Sequence, residues 1–316
     1  MTTIDINMYL AQFAGKAIYY CPNPGNAGDS MIAHATFELF QQHNIDYRLF
    51  NWKKFSPKQT TIIYGGGGSL IPMYSLAQTI IGKLCSGARR FVILPQTINA
   101  EENFLRDLGS NVEIICREEI SYRHVQRHAN KAKVMIADDL AFQLNAGSTL
   151  LTKAPGFLRT LLSRVFLDIQ KSERRHTFPP VRQTIGMKKF EMKNYLIRLS
   201  DPEQRSGVLK AFREDAEKVP ALIVTGNVDV SKVFTIGTRN EQIALYATKK
   251  LLNFVNQFSE VRTNRLHVCI AAALLGKTVK LYPNNCYKCE AVYNYSMKNR
   301  FRNVQWMGGT LGVKLG

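Results

Sequence analysis

The amino-acid sequence predicts an α/β protein with parallel sheets, and three observations carry that expectation. Short apolar runs alternate with helical patterns along both halves of the chain, glycine-rich turns follow several of those runs, and 316 residues at 45% hydrophobic content suffice for two cores of ordinary size. Strand, crossover helix and strand repeated in this way require a parallel sheet covered on both faces, because parallel neighbours cannot be joined by tight hairpins.

In the first half, 17–20 reads as a strand and 29–42 as a helix with Met31, Ile32, Ala35 and Leu39 on one face. Strands follow at 61–64, 91–94, 112–116 and 134–136, separated by helices at 75–84, 101–108 and 120–128. The second half reads as strands at 195–199, 221–224, 260–262, 278–282 and 303–306, with helices at 207–218, 242–257, 266–275 and 290–298. Between the halves, 151–193 breaks the alternation: it carries ten Lys and Arg with Pro155, Pro179 and Pro180. The expected organisation is an N-terminal domain at 1–150, a basic amphipathic linker at 151–193 and a C-terminal domain at 194–316. Within the linker, 156–169 gathers Phe157, Leu161, Leu162 and Phe166 on a broad apolar face. Such a helix either docks on a domain or lies in a membrane interface, and the second role would make the protein peripheral at the cytoplasmic face.

Forty-two Lys plus Arg against 24 Asp plus Glu give a formal charge of +18, which calls for an anionic partner. Neither a zinc-finger spacing nor an RNP-type aromatic strand is present, so no specific nucleic-acid partner is expected. The first residues lack the charged start, apolar run and cleavage site of a secretion signal, and no apolar stretch is long enough to span a bilayer; the expected location is cytoplasmic. Six cysteines are scattered rather than densely spaced, and the lone Cys286–Cys289 CxxC has no second pair of ligands, so no metal is expected.

Four loops carry candidate chemistry. Asn26, Gly28, Asp29 and Ser30 fall between a strand and a helix, where exposed N–H groups suit an anionic or polyhydroxylated ligand, although Asp29 or Ser30 also suits a simple helix cap. The run Gly65-Gly66-Gly67-Gly68-Ser69 follows a strand and lays bare backbone at the sheet's carboxyl edge. No Lys-Ser/Thr follows it and no acidic residue lies about 20 residues on, which excludes a P-loop and a dinucleotide fingerprint; tight strand–helix packing is the plain alternative. Thr263-Asn264-Arg265-Leu266-His267 sets a guanidinium fork and an imidazole at a helix start. Arg213, Asp215 and Glu217, read as one helix, would fan apart so that at most two face one pocket. Asn284, Asn285 and Lys288 form a further polar loop after a strand.

Taken together, NPGNAGDSMI, YGGGGSLIPMY, LPQTI, CREEISY, ADDLAFQL, FREDAE and TNRLH followed by GKTVKLYPNNCYKCEAVY make the chain resemble the polysaccharide pyruvyl transferase family over nearly its full length. The resemblance implies two Rossmann-like domains facing a cleft in a glycosyltransferase B-like architecture. It also implies transfer of pyruvate from phosphoenolpyruvate to two hydroxyls of one sugar, forming a cyclic ketal in surface polysaccharide biosynthesis, with phosphoenolpyruvate as co-substrate and no other cofactor. On that basis Arg265, Arg213, Arg239, Lys288 and Asn285 are expected to bind the donor, and His267 and Asp29 to move protons. Asn26, Gly28, Gly66, Gly67, Gly68 and Ser69 are expected to cradle the sugar, which is lipid-linked or nucleotide-activated. The rival reading on the same scaffold is a nucleotide-sugar-dependent glycosyltransferase.

Overall fold

The computed structural model describes residues 1–49, 56–153, 203, 206–220 and 222–308. The chain forms two compact α/β units that exchange short segments. The first comprises Met1–Pro24, Ile32–Leu144 and Glu290–Arg300; the second comprises Gly25–Met31, Asn145–Cys289 and Phe301–Gly316. A single boundary near 150 is therefore replaced by units defined by contacts: Gly25–Met31 goes with the second unit and Glu290–Arg300 with the first.

The first unit is built on β1 (Ala17–Cys21), β2 (Asp46–Leu49), β3 (Thr61–Tyr64), β4 (Gly67–Leu70), β5 (Arg90–Ile98), β6 (Val112–Cys116) and β7 (Lys133–Ile136). Its parallel sheet runs β2-β1-β3-β5-β6-β7, with β4 added alongside the end of β5. Strand order reverses direction between β1 and β3, which in such sheets marks the crevice where ligands bind. The helices are α1 (Ile6–Ala11), α2 (Ala27–Gln42), α3 (Leu76–Cys85), α4 (Glu102–Arg106) and α5 (Glu119–His128). Their apolar faces close over the sheet: Ile80, Ile81 and Leu84 of α3 and Val125 of α5 join Ile62, Phe91, Ile93 and Ile114 in one core. Every residue of β3 is buried, as a central parallel strand requires.

The second unit carries β8 (Val208–Ala211), β9 (Glu260–Thr263), β10 (Thr278–Leu281) and β11 (Val304–Trp306) in the parallel order β11-β10-β9-β8. Its helices are α6 (Ala146–Leu151), α7 (Val230–Val233), α8 (Glu241–Val255) and α9 (Leu266–Leu274); α10 (Lys288–Val292) starts in this unit and continues, with a π turn at Tyr293–Met297, in the segment that belongs to the first. Asn240 caps α8 by accepting the Ile243 N–H at 2.8 Å. In α9, all but His267 and Leu274 are buried, so it packs on all sides rather than along one stripe.

Two expected elements are overturned. The helix at 207–218 is instead β8 followed by a loop. Its signal was masked because the strand is buried on both faces while containing Lys210, whose ammonium is satisfied by the Thr225 carbonyl at 3.1 Å and Glu203 at 2.6 Å. The strand at 221–224 reduces to one bridging residue, Val224, among the residues described there. The sheet also gains β2, an edge strand, and β4, whose Gly-Gly-Ser-Leu has no strand propensity of its own. The strand expected at 195–199, residues 154–193 of the linker and the amphipathic helix at 156–169 lie outside the described residues. No helix among the described residues is long and apolar enough to cross a membrane.

Candidate active site

In the second unit, the loops leaving β8, β9 and β10 meet at the carboxyl edge of the sheet. Asn264 ties them together: its Oδ1 accepts the Arg213 N–H at 2.8 Å and its carbonyl accepts from Cys289 Sγ at 3.4 Å. On the β8 loop, Arg213 reaches Asp215 through Nε at 2.9 Å and Nη2 at 3.0 Å, and Glu217 through Nη1 at 2.9 Å. The three charges expected to splay from a helix thus converge, because the chain here is a loop. Lys288, buried at the start of α10, donates to Glu217 at 3.1 Å, and Cys286 Sγ donates to the same carboxylate at 3.6 Å.

Arg265 is 4% exposed and its fork is already occupied. Nε and Nη2 grip Asp229, the former at 2.9 Å, and Nη1 reaches Asp215 at 2.8 Å. Three of its five N–H groups are spent in this way, and Arg213 is committed to the same extent. The expectation of an open bidentate fork at Arg265 is therefore corrected: Asp229, drawn in from the start of α7, holds it. Three cations, Arg213, Arg265 and Lys288, face three carboxylates, Asp215, Glu217 and Asp229, so the cluster is close to neutral. Burial lifts the Asp215 carboxyl, but Arg213 and Arg265 outweigh it and bring its pKa down to about 2. Burial likewise opposes the Arg213 charge, and Asp215 and Glu217 more than compensate, raising its pKa above the usual arginine value.

His267 sits in the first turn of α9, half-buried. A Cβ at Gly28 would lie 2.3 Å from its Nδ1 and 2.8 Å from its Cβ, so only glycine at 28 lets the imidazole occupy this place. Gly28 lies in the first turn of α2, which Asn26 and Asp29 cap reciprocally: the Asn26 N–H donates to Asp29 Oδ2 at 2.8 Å and the Gly28 N–H to Asn26 Oδ1 at 2.8 Å. Ser30 Oγ donates to the Gly237 carbonyl at 3.0 Å. Asn26, Gly28 and Asp29 thus belong with the unit that holds His267, and not with the N-terminal domain as expected. Asp29 accepts at the start of α2, the capping role that its place in the sequence also suits. Asn285 is exposed and donates through Nδ2 to the Ala216 carbonyl at 3.1 Å, whereas Arg239 is exposed in the segment before α8. The adjacent Asn284, read from the sequence as part of the same polar loop, is buried where Asn285 is exposed.

The glycine run lies in the first unit. Gly65 donates to the Cys21 carbonyl at 2.8 Å and accepts from Gln96 Nε2 at 2.8 Å, and a Cβ there would come within 2.6 Å of the Asn23 nitrogen. A Cβ on Gly66 would lie 2.8 Å from the Pro95 carbonyl oxygen. The missing side chains at 65 and 66 are thus used for close approach of β1, β3 and β5, which corrects the expectation that Gly66 offers open backbone. Gly67 is also buried, and its φ of 143° begins β4 in a conformation that favours glycine. Gly68 and Ser69 are half-buried, and Ser69 Oγ donates to Asn23 Oδ1 at 2.9 Å beside the Tyr64 hydroxyl. Below them, Arg117 and Asp139 form a buried pair at 2.7 Å, with Arg117 Nε also donating to Thr97 Oγ1 at 2.8 Å. All six cysteines are free, and among the described residues no group of His, Cys, Asp or Glu could hold a metal ion.

Residues 26–279 match the model of a family described as polysaccharide pyruvyl transferase. The crystal structure of an uncharacterized protein from Klebsiella pneumoniae subsp. pneumoniae NTUH-K2044 is similar to this chain, with a TM-score of 0.69, 27% identity and coverage of 96% of both chains. No curated protein matches the chain.

Proposed function

The chain belongs to the polysaccharide pyruvyl transferase family, a family of transferases, and from that premise we propose that it moves pyruvate from phosphoenolpyruvate to two hydroxyls of one sugar, releasing phosphate and leaving a cyclic ketal. The observation that supports this reading is the placement of His267 at the head of α9, seated against Gly28, with Arg265 and Arg213 anchored beside it on the same sheet edge.

His267 is the proposed acid. It gives a proton to C3 of the enol, which makes C2 electrophilic toward the first sugar hydroxyl; that hydroxyl loses its proton as the C2–O bond forms. The second hydroxyl then attacks C2, the bond from C2 to the phosphate oxygen breaks, and inorganic phosphate leaves. Either Asp29 or the imidazole that gave up its proton serves as base. Asp229, Asp215 and Glu217 fix the guanidinium planes, so the donor meets the two remaining N–H groups of Arg265 and of Arg213 without a search over rotamers. Lys288 stands near the leaving phosphate in this scheme, and Gly68 and Ser69 remain the acceptor-side candidates.

The test is incubation of the purified protein with phosphoenolpyruvate and candidate sugars, free or carrier-linked. Ketal formation with stoichiometric phosphate release is the expected outcome. Release of a nucleoside diphosphate from a nucleotide sugar, with phosphoenolpyruvate left intact, would replace the reading by glycosyl transfer.

A further inference from the structure

We propose that Asn284 binds an oxyanion of the enol phosphate beside the head of α9 and is a determinant of donor recognition; this rests on the pyruvyl-transfer reading and adds a residue to its site. The Asn284 side chain is 8% exposed, and both its Nδ2 and its Oδ1 are buried without a hydrogen-bond partner among the described residues. A buried amide that makes no hydrogen bond costs stability, so its presence calls for a compensating role.

Its neighbours are tied to two other loops. Two residues earlier, the Tyr282 N–H donates to the Thr263 carbonyl at 2.8 Å, and one residue later Asn285 Nδ2 donates to the Ala216 carbonyl at 3.1 Å. Asn284 is therefore held between the loop of Arg213 to Glu217 and the loop of Asn264 to His267. The second, independent observation is the start of α9. Its N-cap is Arg265, whose guanidinium carries donors only and makes no capping bond. A helix start without a side-chain cap presents N–H donors and a positive dipole end to an anion.

The chemistry of this pair is specific. Arg213, Arg265 and Lys288 are already matched by three carboxylates, so a neutral amide beside them adds to the hydrogen bonds that their remaining N–H groups offer the donor. The amide N–H of Asn284 supplies a donor that matches a carboxylate or phosphate oxygen, and its Oδ1 accepts from a hydroxyl, which an attacking sugar provides.

Isothermal titration of the full-length chain with phosphoenolpyruvate, together with thermal melts of the unliganded protein, tests the assignment on Asn284→Ala and Asn284→Asp. Asn284→Ala removes an unsatisfied group, so its unliganded melting temperature should be no lower than that of the wild type, while its phosphoenolpyruvate affinity falls by about tenfold or more. Asn284→Asp puts a negative charge where the anion binds and should bind the donor more weakly than Asn284→Ala. Wild-type affinity in both variants, or a lowered melting temperature in Asn284→Ala, overturns the assignment while leaving pyruvyl transfer standing. A wild-type chain that does not bind phosphoenolpyruvate overturns both.

Discussion

His267 and Gly28 lie far apart in sequence, yet the imidazole has its place because position 28 carries no Cβ. Replacing the imidazole by Ala removes the proposed proton donor, and ketal production should fall by about 10²-fold or more with the circular dichroism spectrum unchanged. Gly28→Ala tests the same site from the opposite side: its Cβ would overlap the imidazole ring, so turnover should fall toward the His267→Ala level although no catalytic group has been removed. Wild-type turnover in Gly28→Ala would show that the ring position is immaterial. Asp215 offers a test that needs no substrate. Its folded pKa, about 2, lies below the ordinary carboxylate value of 3.8, so the stability it contributes is fully present above about pH 4 and is lost as pH falls toward 2. Urea denaturation should place Asp215→Asn about 1–2 kcal/mol below the wild type at neutral pH, with the gap closing as the buffer is taken below pH 4. A gap that stays constant through that range would mean Asp215 is not held ionised by its arginines. TNRLH was legible as a candidate because a polar cluster stands between a short strand and an apolar helix. The partners of Arg265 were not, since Asp229 is 36 residues away and carries no mark of pairing.

At the scale of elements, the strands with continuous apolar runs were readable and the exceptions share a cause. β8 hides a lysine whose charge is satisfied only by tertiary partners, and β4 owes its existence to pairing with β5 rather than to its own residues. The motifs CREEISY and ADDLAFQL were read as family marks, and the structure gives them a mechanical use. Arg117, from the end of β6, and Asp139, just beyond β7, are 2% and 0% exposed and join two loops through one ion pair, while Asp139 also accepts the Ala141 N–H at 2.8 Å. Removing one member of a buried pair leaves the other charge uncompensated, so Asp139→Ala should lower unfolding free energy by about 3–5 kcal/mol in a denaturant titration. A loss within the range of an exposed pair, below about 1 kcal/mol, would contradict this role.

Over the whole molecule the charge is +18, yet the proposed donor cluster is nearly balanced. The excess charge elsewhere therefore acts as a long-range field that concentrates anions around the proposed local contacts. Raising ionic strength from about 0.01 M to about 1 M shortens the screening length from about 30 Å to about 3 Å, so the apparent KM for phosphoenolpyruvate should rise several-fold while kcat stays level. A salt-independent KM would assign donor capture to the hydrogen-bonding groups alone.

The sequence by itself determined the α/β class, most strands and helices, and the loops in which chemistry is concentrated, because hydrophobic periodicity and turn residues are local signals. The tertiary structure decided how those loops are used. It moved Gly25–Met31 into the second unit, gave the Arg265 fork to Asp229, spent Gly65 and Gly66 on backbone packing, and separated buried Asn284 from exposed Asn285. Each of these depends on which distant segments come within hydrogen-bonding or van der Waals reach, and that distance exists only once the chain has folded.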